Sequence, residues 1–185
     1  KEQGDDSERD LLSRTEEAIG LLDACSESDR ILIRQVLATI TSGQELDLRR
    51  FFVDHAGNSD GAGDVIALKD DAELDDYTYR VAGCVGEFWT KICRAHVFPR
   101  ARLDEETLLR NGVRFGKGLQ LINILRDLAG DLRQGRCYLP EDRLAETGLE
   151  PAQLRDSTNE SKLRPLYDEY LDRAEAHLAA GGTYT

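Results

Sequence analysis

The sequence of 185 residues is poor in basic side chains and has no long apolar run. Lysine and arginine number 24 against 36 aspartates and glutamates, which gives a formal net charge of −12. Nucleic-acid binding needs a basic face to neutralise phosphates, so this balance argues against a nucleic-acid partner. No segment approaches the roughly 18 apolar residues of a membrane-spanning helix, and the start shows no signal-peptide pattern. We therefore expect a cytoplasmic protein, with room for a peripheral membrane contact.

Metal-binding cysteine and histidine patterns are also missing. The four cysteines, Cys25, Cys84, Cys93 and Cys137, form no Cys-x-x-Cys pair, and none of the three histidines lies at a metal-ligand spacing. These cysteines are typical of reduced, mostly buried thiols in an intracellular protein.

Strand patterns of any length are absent, whereas apolar residues recur at helical spacing along most of the chain. The sequence therefore predicts an all-α fold. At 40% hydrophobic residues the chain can bury one core, so we assign residues 11–180 to a single helical domain. Residues 1–10 are interpreted as an acidic linker or truncated start, and residues 57–64 as a loop. Gly43 is expected to close or bend a helix.

Residues 116–140 carry the clearest functional pattern. On a helix, Gln120, Asn123, Asp127 and Asp131 share one side. The opposite side is aliphatic and can pack into a core: Leu121, Ile122, Leu125, Leu128 and Leu132. The polar side must therefore face something other than the core.

The spacing of Asn123, Asp127 and Asp131 is i, i+4, i+8, which places three oxygen-bearing side chains along about 12 Å of helix. Like charges one turn apart cost a few tenths of a kcal/mol unless a cation lies between them. Oxygen ligands without His or Cys favour Mg²⁺ over Zn²⁺. Gly112 and Gly116 fall on the same side and are interpreted as leaving room for a ligand. A chance acidic pair in an acidic chain is the alternative.

A second segment, residues 74–89, contains two glycines within a helical pattern. Gly83 and Gly86 each cost about 1 kcal/mol relative to alanine, which indicates a close approach of the backbone to a neighbouring helix or to a ligand. Tyr77, Val81 and Val85 line one face, along which an apolar chain could lie.

Together the two segments resemble the squalene and phytoene synthase family. The first supplies Gln120, Asn123, Arg126, Asp127 and Asp131, followed by the Gly-Arg-x-Tyr-Leu-Pro ending at 135–140. The second matches Tyr-x-x-x-Val-Ala-Gly-x-Val-Gly at 77–86. The residues that follow, at 87–90, are most similar to bacterial squalene synthases.

This resemblance implies an isoprenoid-synthase-type helical bundle around a central cavity and a Mg²⁺-dependent prenyltransferase. The implied reaction joins two farnesyl diphosphates head to head through a cyclopropyl intermediate towards squalene, with NADPH as reductant in squalene synthases. The implied catalytic residues are Tyr77, Asp127 and Asp131, with Tyr79 as a second candidate tyrosine, and Asn123 joins the two aspartates as a metal ligand. The implied substrate-binding residues are Gln120, Arg126, Arg136, Tyr138, Val81, Gly83 and Val85.

The sequence also allows two other functions. A phytoene or dehydrosqualene synthase would use the same motifs, and a non-catalytic helical relative could act as an assembly or lipid-binding factor. The family's first Asp-x-x-x-Asp helix is not found in this sequence. We therefore expect the chain to be part of a longer enzyme and poorly active alone. The oligomeric state is left open.

Overall fold

The structure, a computed structural model, describes residues 6–51 and 65–183. Helices dominate these ranges, which confirms the predicted all-α class. They are α1 (Asp6–Ser13), α2 (Thr15–Leu21), α3 (Glu27–Phe51), α4 (Asp71–Thr78), α5 (Cys84–His96), α6 (Glu105–Arg133), α7 (Glu141–Glu146) and α8 (Glu160–Ala179). A π-helical turn, Tyr79–Gly83, joins α4 to α5. Short 3-10 turns occupy Leu22–Ala24, Pro151–Arg155, Ser157–Asn159 and Gly181–Thr183.

Two short parallel strands, which the sequence pattern did not predict, are the exception to the helical fold. Strand β1 (Ile66–Leu68) pairs with β2 (Arg136–Pro140), and Ala67 lies opposite Cys137. Gly135, with φ of 78°, lets the chain turn from the end of α6 into β2, a backbone conformation that favours glycine. The sheet therefore brings the start of α4 close to the end of α6.

Helix α6 is the longest element and lies at the centre of the fold. Asp104 caps it, because its Oδ1 accepts a hydrogen bond of 3.2 Å from the Thr107 backbone N–H. Helix α8 runs antiparallel along it: Gly118 lies against His177, and the Tyr167 hydroxyl donates to the Leu125 carbonyl oxygen at 3.4 Å. This pairing leaves other sides of α6 for α5, β2 and α4.

The core combines the aliphatic side of α6 with the sheet and the inner face of α8. Its fully buried members include Leu68, Leu74, Leu139, Leu144 and Tyr170. Of the predicted aliphatic set on α6, Leu121, Leu125 and Leu132 are buried, Ile122 and Leu128 pack partly against the core, and Ile124 is buried in addition.

Two local predictions are wrong. Helix α3 continues through Gly43, which is buried because the Arg80 Cβ lies 3.0 Å from where a Cβ at Gly43 would stand. Residues 6–10 belong to α1 rather than to a linker, as acidic residues near a helix N-terminus are favourable. Residues 1–5 and the predicted loop at 57–64 lie outside the described residues.

Among the described helices, none has the length and apolarity to cross a membrane.

Candidate active site

Two aromatic rings form the centre of the predicted site. Tyr77, at the end of α4, stacks on Tyr138 of β2 with a centroid distance of 4.8 Å and an interplanar angle of 23°. Phe51, the last residue of α3, meets Tyr138 edge-on at 5.2 Å. Burial raises the pKa of Tyr77, and the charges of Asp47 and Asp131 act in the same direction. The sequence predicted Tyr77 and Tyr138 as site residues, and the structure brings them together.

The charge of Asp131 contributes to the raised pKa of Tyr77, so this carboxyl is within electrostatic reach of the aromatic group. Burial raises the pKa of its carboxyl, and the charge of Asp127 raises it further, as does that of Asp47, while Arg136 opposes the shift. A carboxyl in such surroundings would gain from a nearby cation, since a positive charge favours its ionised form. Ionisation of Asp131, the last carboxyl of the predicted acidic row, is therefore less favourable than in water.

Asp127 has a different environment from Asp131. It is half exposed, and Arg126 donates to both of its oxygens, through Nε at 2.9 Å and Nη2 at 2.7 Å. These hydrogen bonds hold the pKa of Asp127 below its usual value. Arg126 therefore lies at the flank of the acidic row and pairs with Asp127, which is one of the predicted metal ligands. Gln120 and Asn123 are half-buried on the same helix.

The donor set fits only part of a magnesium shell. In residues 6–51 and 65–183 no group of three or more His, Cys, Asp or Glu side chains is arranged to hold a metal ion. The predicted ligands are two carboxylates, from Asp127 and Asp131, and one amide, from Asn123. Mg²⁺ commonly takes one or two carboxylates and completes its shell with waters and substrate phosphates, so this set is compatible with it. The metal site stays a prediction.

Asp47 is a site residue that the sequence reasoning missed. The Tyr138 hydroxyl donates to both Asp47 oxygens at 3.0 Å, and Arg136 Nη1 lies 3.6 Å from Oδ2. A signal was present in the sequence: Gly43, Asp47 and Phe51 are spaced four apart on α3, and the first and last are buried. An acid on the buried face of a helix needs a partner.

The glycines of α6 do not leave room for a ligand, and that interpretation was wrong. A Cβ at Gly116 would stand 2.2 Å from the Ala82 carbonyl oxygen, and one at Gly86 would stand 1.9 Å from the Gly112 carbonyl oxygen. Backbones thus approach closely at both points, so α6 packs on the π-helical turn and α5. Gly83 is likewise buried, facing Val113 and Lys117, which places it in a helix contact rather than on an open wall. Val81 and Val85 are half-buried.

Tyr79, the second candidate tyrosine, belongs to another region. Its hydroxyl donates to Glu87 Oε2 at 2.9 Å, and burial together with that bond raises its pKa to about 12. It lines a cavity of about 260 Å³ between α3 and α5, with Val36, Phe88 and Lys91 among the other lining residues. Tyr77 and Tyr138 do not line this cavity, and the catalytic role of either candidate tyrosine stays a prediction.

Comparison with known proteins identifies the class of protein. The family model described as squalene/phytoene synthase matches residues 3–185. The chain belongs to the squalene/phytoene synthase family, whose members are prenyltransferases.

Individual relatives show similar identities across two product classes. The chain is 32% identical over 161 residues to a bifunctional lycopene cyclase/phytoene synthase of Colletotrichum graminicola, covering 86% of this chain and 25% of that protein. It is 35% identical over 115 residues to a presqualene diphosphate synthase of Zymomonas mobilis, covering 62% and 36%. With chloroplastic phytoene synthase 3 of Zea mays the identity is 36% over 104 residues, covering 56% and 24%.

These matches span about a fifth to a third of the length of the relatives. Because phytoene synthases and the presqualene diphosphate synthase match almost equally, the likeness to a bacterial squalene synthase stays a prediction. The cytoplasmic location also stays a prediction, since the relatives include chloroplastic proteins.

Proposed function

We propose that this chain forms part of a prenyltransferase that ionises a prenyl diphosphate and joins two prenyl chains head to head. The observation that carries the proposal is the stacking of Tyr77 on Tyr138 at 4.8 Å, which unites residues of both predicted motifs in a chain of the squalene/phytoene synthase family. Such aromatic rings can stabilise a carbocation.

The acidic row would serve the diphosphate end of the substrate. Asn123, Asp127 and Asp131 would hold Mg²⁺, which when bound neutralises the departing pyrophosphate and lowers the cost of breaking the C–O bond. Arg136 can donate to phosphate oxygens, because its ion pair with Asp47, at 3.6 Å, is longer than a direct hydrogen bond. Arg126 can do the same if it exchanges Asp127 for phosphate.

The apolar end of the substrate would lie against the helix that follows Tyr77. Val81 and Val85 continue that side of the chain and can contact a prenyl tail. The faces of Tyr77 and Tyr138 carry negative electrostatic potential, so they stabilise a nearby allylic cation, and the surrounding apolar residues keep water from it. Gln120 offers a neutral amide to the substrate from the same side of α6.

Within this reaction class we favour two farnesyl diphosphates as substrates, condensed through a presqualene-type intermediate. The match to a presqualene diphosphate synthase supports that choice. The matches to phytoene synthases support the alternative, in which geranylgeranyl diphosphate gives phytoene. NADPH would be needed only if the product is reduced to squalene.

The test uses the complete natural gene product that contains this chain, incubated with Mg²⁺ and either prenyl diphosphate. We expect a head-to-head product by mass spectrometry, and a loss of turnover in Asp127→Ala. Asp172→Ala, an exposed aspartate of α8, is the matched control and should keep full activity.

A second measurement separates metal binding from turnover. Calorimetry with Mg²⁺ and inorganic pyrophosphate should show binding to the wild type that Asp127→Ala weakens at least about tenfold, since a lost charge-assisted contact costs over 1 kcal/mol. Undiminished turnover in Asp127→Ala would remove the metal role. Absence of any product from either substrate would favour the non-catalytic relative.

A further inference from the structure

Asp47 is the acid of α3 most closely tied to the candidate site, although the proposed chemistry gives it no task. The predicted site residues lie on α4, the π-helical turn, α5, α6 and β2, whereas Asp47 reaches the site from α3. Its side chain is 19% exposed. A carboxylate this far buried is costly unless its oxygens are satisfied, so its contacts show what it holds.

Both oxygens of Asp47 are used by residues of β2. The Tyr138 hydroxyl is shared between them at equal distances of 3.0 Å. Hydrogen bonds to an ionised acceptor are stronger and more directional than neutral ones. Because the ring of Tyr138 is also packed edge-on against Phe51, the phenol is fixed at both its hydroxyl and its face.

The position of Tyr138 determines that of Tyr77. Their rings lie nearly parallel at 4.8 Å, so a rotation of Tyr138 would force Tyr77 to move or would open a gap between them. Tyr77 also packs against the core, but the stack on Tyr138 contributes to the orientation of its ring. Asp47 therefore acts on Tyr77 through one intervening residue.

Arg136 is held more loosely. Its guanidinium lies 3.6 Å from Asp47, beyond the 2.7–2.9 Å of a direct charge-assisted bond, and 6.0 Å from the centre of the Phe51 ring. Asp47 thus attracts Arg136 towards the site through a long ion pair. Because this pair is longer than a direct hydrogen bond, Arg136 can turn its donors to an arriving anion.

We propose that Asp47 is a positioning residue of this site, which fixes Tyr138 and through it Tyr77, and which keeps Arg136 poised for an anionic group. The catalytic part of this inference rests on the proposed function. The positioning itself does not, and it can be measured without turnover.

The variants are chosen to remove charge without changing shape. Asp47→Asn keeps the volume and one acceptor oxygen for Tyr138, but loses the negative charge and the second acceptor. Glu45→Gln is the matched control, because Glu45 lies two residues away on α3, is exposed, and pairs with Arg49 of the next turn at 3.4 Å.

The first measurement uses protein labelled with carbon-13 at Cζ of tyrosine, and assigns Tyr138 and Tyr77 by Tyr138→Phe and Tyr77→Phe. In Asp47→Asn we expect the Tyr138 resonance to move, since its acceptor has changed, and the Tyr77 resonance to move or broaden with it. In Glu45→Gln both should stay in place. Unchanged resonances in Asp47→Asn would overturn the inference, whatever the protein catalyses.

The second measurement is kinetic and uses the complete gene product. Misplacing a reacting group lowers turnover more than binding, so kcat of Asp47→Asn should fall about tenfold or more while KM for the prenyl diphosphate changes little. Urea unfolding of the same variant checks stability. A kcat equal to that of Glu45→Gln, or a loss that merely follows a lowered stability, would leave Asp47 with a structural role and contradict the proposal.

Discussion

The two halves of α6 use the same side of the helix for opposite purposes. In the first half, Gly112 and Gly116 bring that side into backbone contact with α5 and the π-helical turn. In the second half, Asn123, Asp127 and Asp131 continue the same side, and they are half-buried or exposed rather than buried. A stripe that looks uniform in sequence is thus a packing surface at one end and a polar surface at the other.

This difference shows what decides the use of a helix face. The close backbone contacts cover only part of α6: α5 approaches it at Gly112 and the π-helical turn approaches it at Gly116. Where a neighbouring element packs on this side of α6, glycine allows the backbones to approach closely. Where no element packs so closely, polar side chains can face a ligand.

The comparison predicts its largest effect at Gly116. Gly116→Ala would place a Cβ 2.2 Å from the Ala82 carbonyl oxygen. Because backbone cannot move aside as a side-chain end can, we expect a loss of about 3 kcal/mol or more in the free energy of unfolding. Urea unfolding measures it. A loss below about 1 kcal/mol would show that the first half is not a close contact.

Asp71 should have the next largest effect, through the ion network that joins the start of α4 to α7 and α8. Its carboxylate accepts from Arg173 Nη1 at 2.6 Å and the Tyr170 hydroxyl at 3.0 Å, and pairs with Arg143 at 3.1 Å. Asp71→Asn should cost about 2 kcal/mol, after discounting for partial exposure. Asp172→Asn on the exposed face of α8 should cost nearly nothing by the same unfolding measurement.

The effect of Asp71 should also depend on pH. Burial alone would raise the pKa of Asp71, but the hydrogen bonds from Arg173 and Tyr170 outweigh it and hold the pKa below its usual value. The stabilisation is therefore fully present above the unfolded pKa of about 3.9 and is lost as the pH falls through the folded pKa. Unfolding curves of wild type and Asp71→Asn should converge below about pH 4. A gap that stays constant would contradict this origin.

A smaller effect is expected where the second half of α6 meets β2. Tyr138→Phe removes the hydrogen bond to Asp47 and should lower the free energy of unfolding by about 1 kcal/mol. Tyr167→Phe is the control, because its hydroxyl makes only a long bond of 3.4 Å to Leu125, and it should cost a few tenths of a kcal/mol. Equal costs for the two variants would argue against a strong Tyr138–Asp47 bond.

The smallest effect should be a gain, at Gly130 of the second half. A Cβ there would meet only Arg133 Nη2, at an ordinary 3.8 Å. Gly130→Ala should therefore stabilise the helix by about 0.5 kcal/mol, since alanine loses less conformational entropy. A destabilisation in urea unfolding would mean that this half is packed as closely as the first.

Sequence patterns predicted the helical class and the aliphatic side of α6, and they selected Tyr77 and Tyr138, which stack on each other. Each depends on local periodicity or on a motif that carries its own spacing. The roles of Gly112 and Gly116 were misjudged because helical periodicity places a residue on a face without showing which neighbour covers that face. Asp47 was missed because its partners are 89 and 91 residues away in sequence.

The strands were missed for a related reason. Strand β1 has three residues and β2 has five, which is too short for alternation to stand out. Their pairing, like the contact of Asp47, is a long-range event. What sequence reasoning lacked was the tertiary neighbour rather than the local conformation.

The parallel pairing of β1 with β2 makes the site sensitive to length as well as to chemistry. Side chains alternate between the two faces of a strand, and Cys137 and Tyr138 are consecutive in β2. Deleting a single residue between Gly135 and Tyr138 would move the phenol to the other face of the strand, so that Leu139 would take its place opposite α3. The spacing of this short strand is therefore as strict a requirement as the identity of the residues it carries.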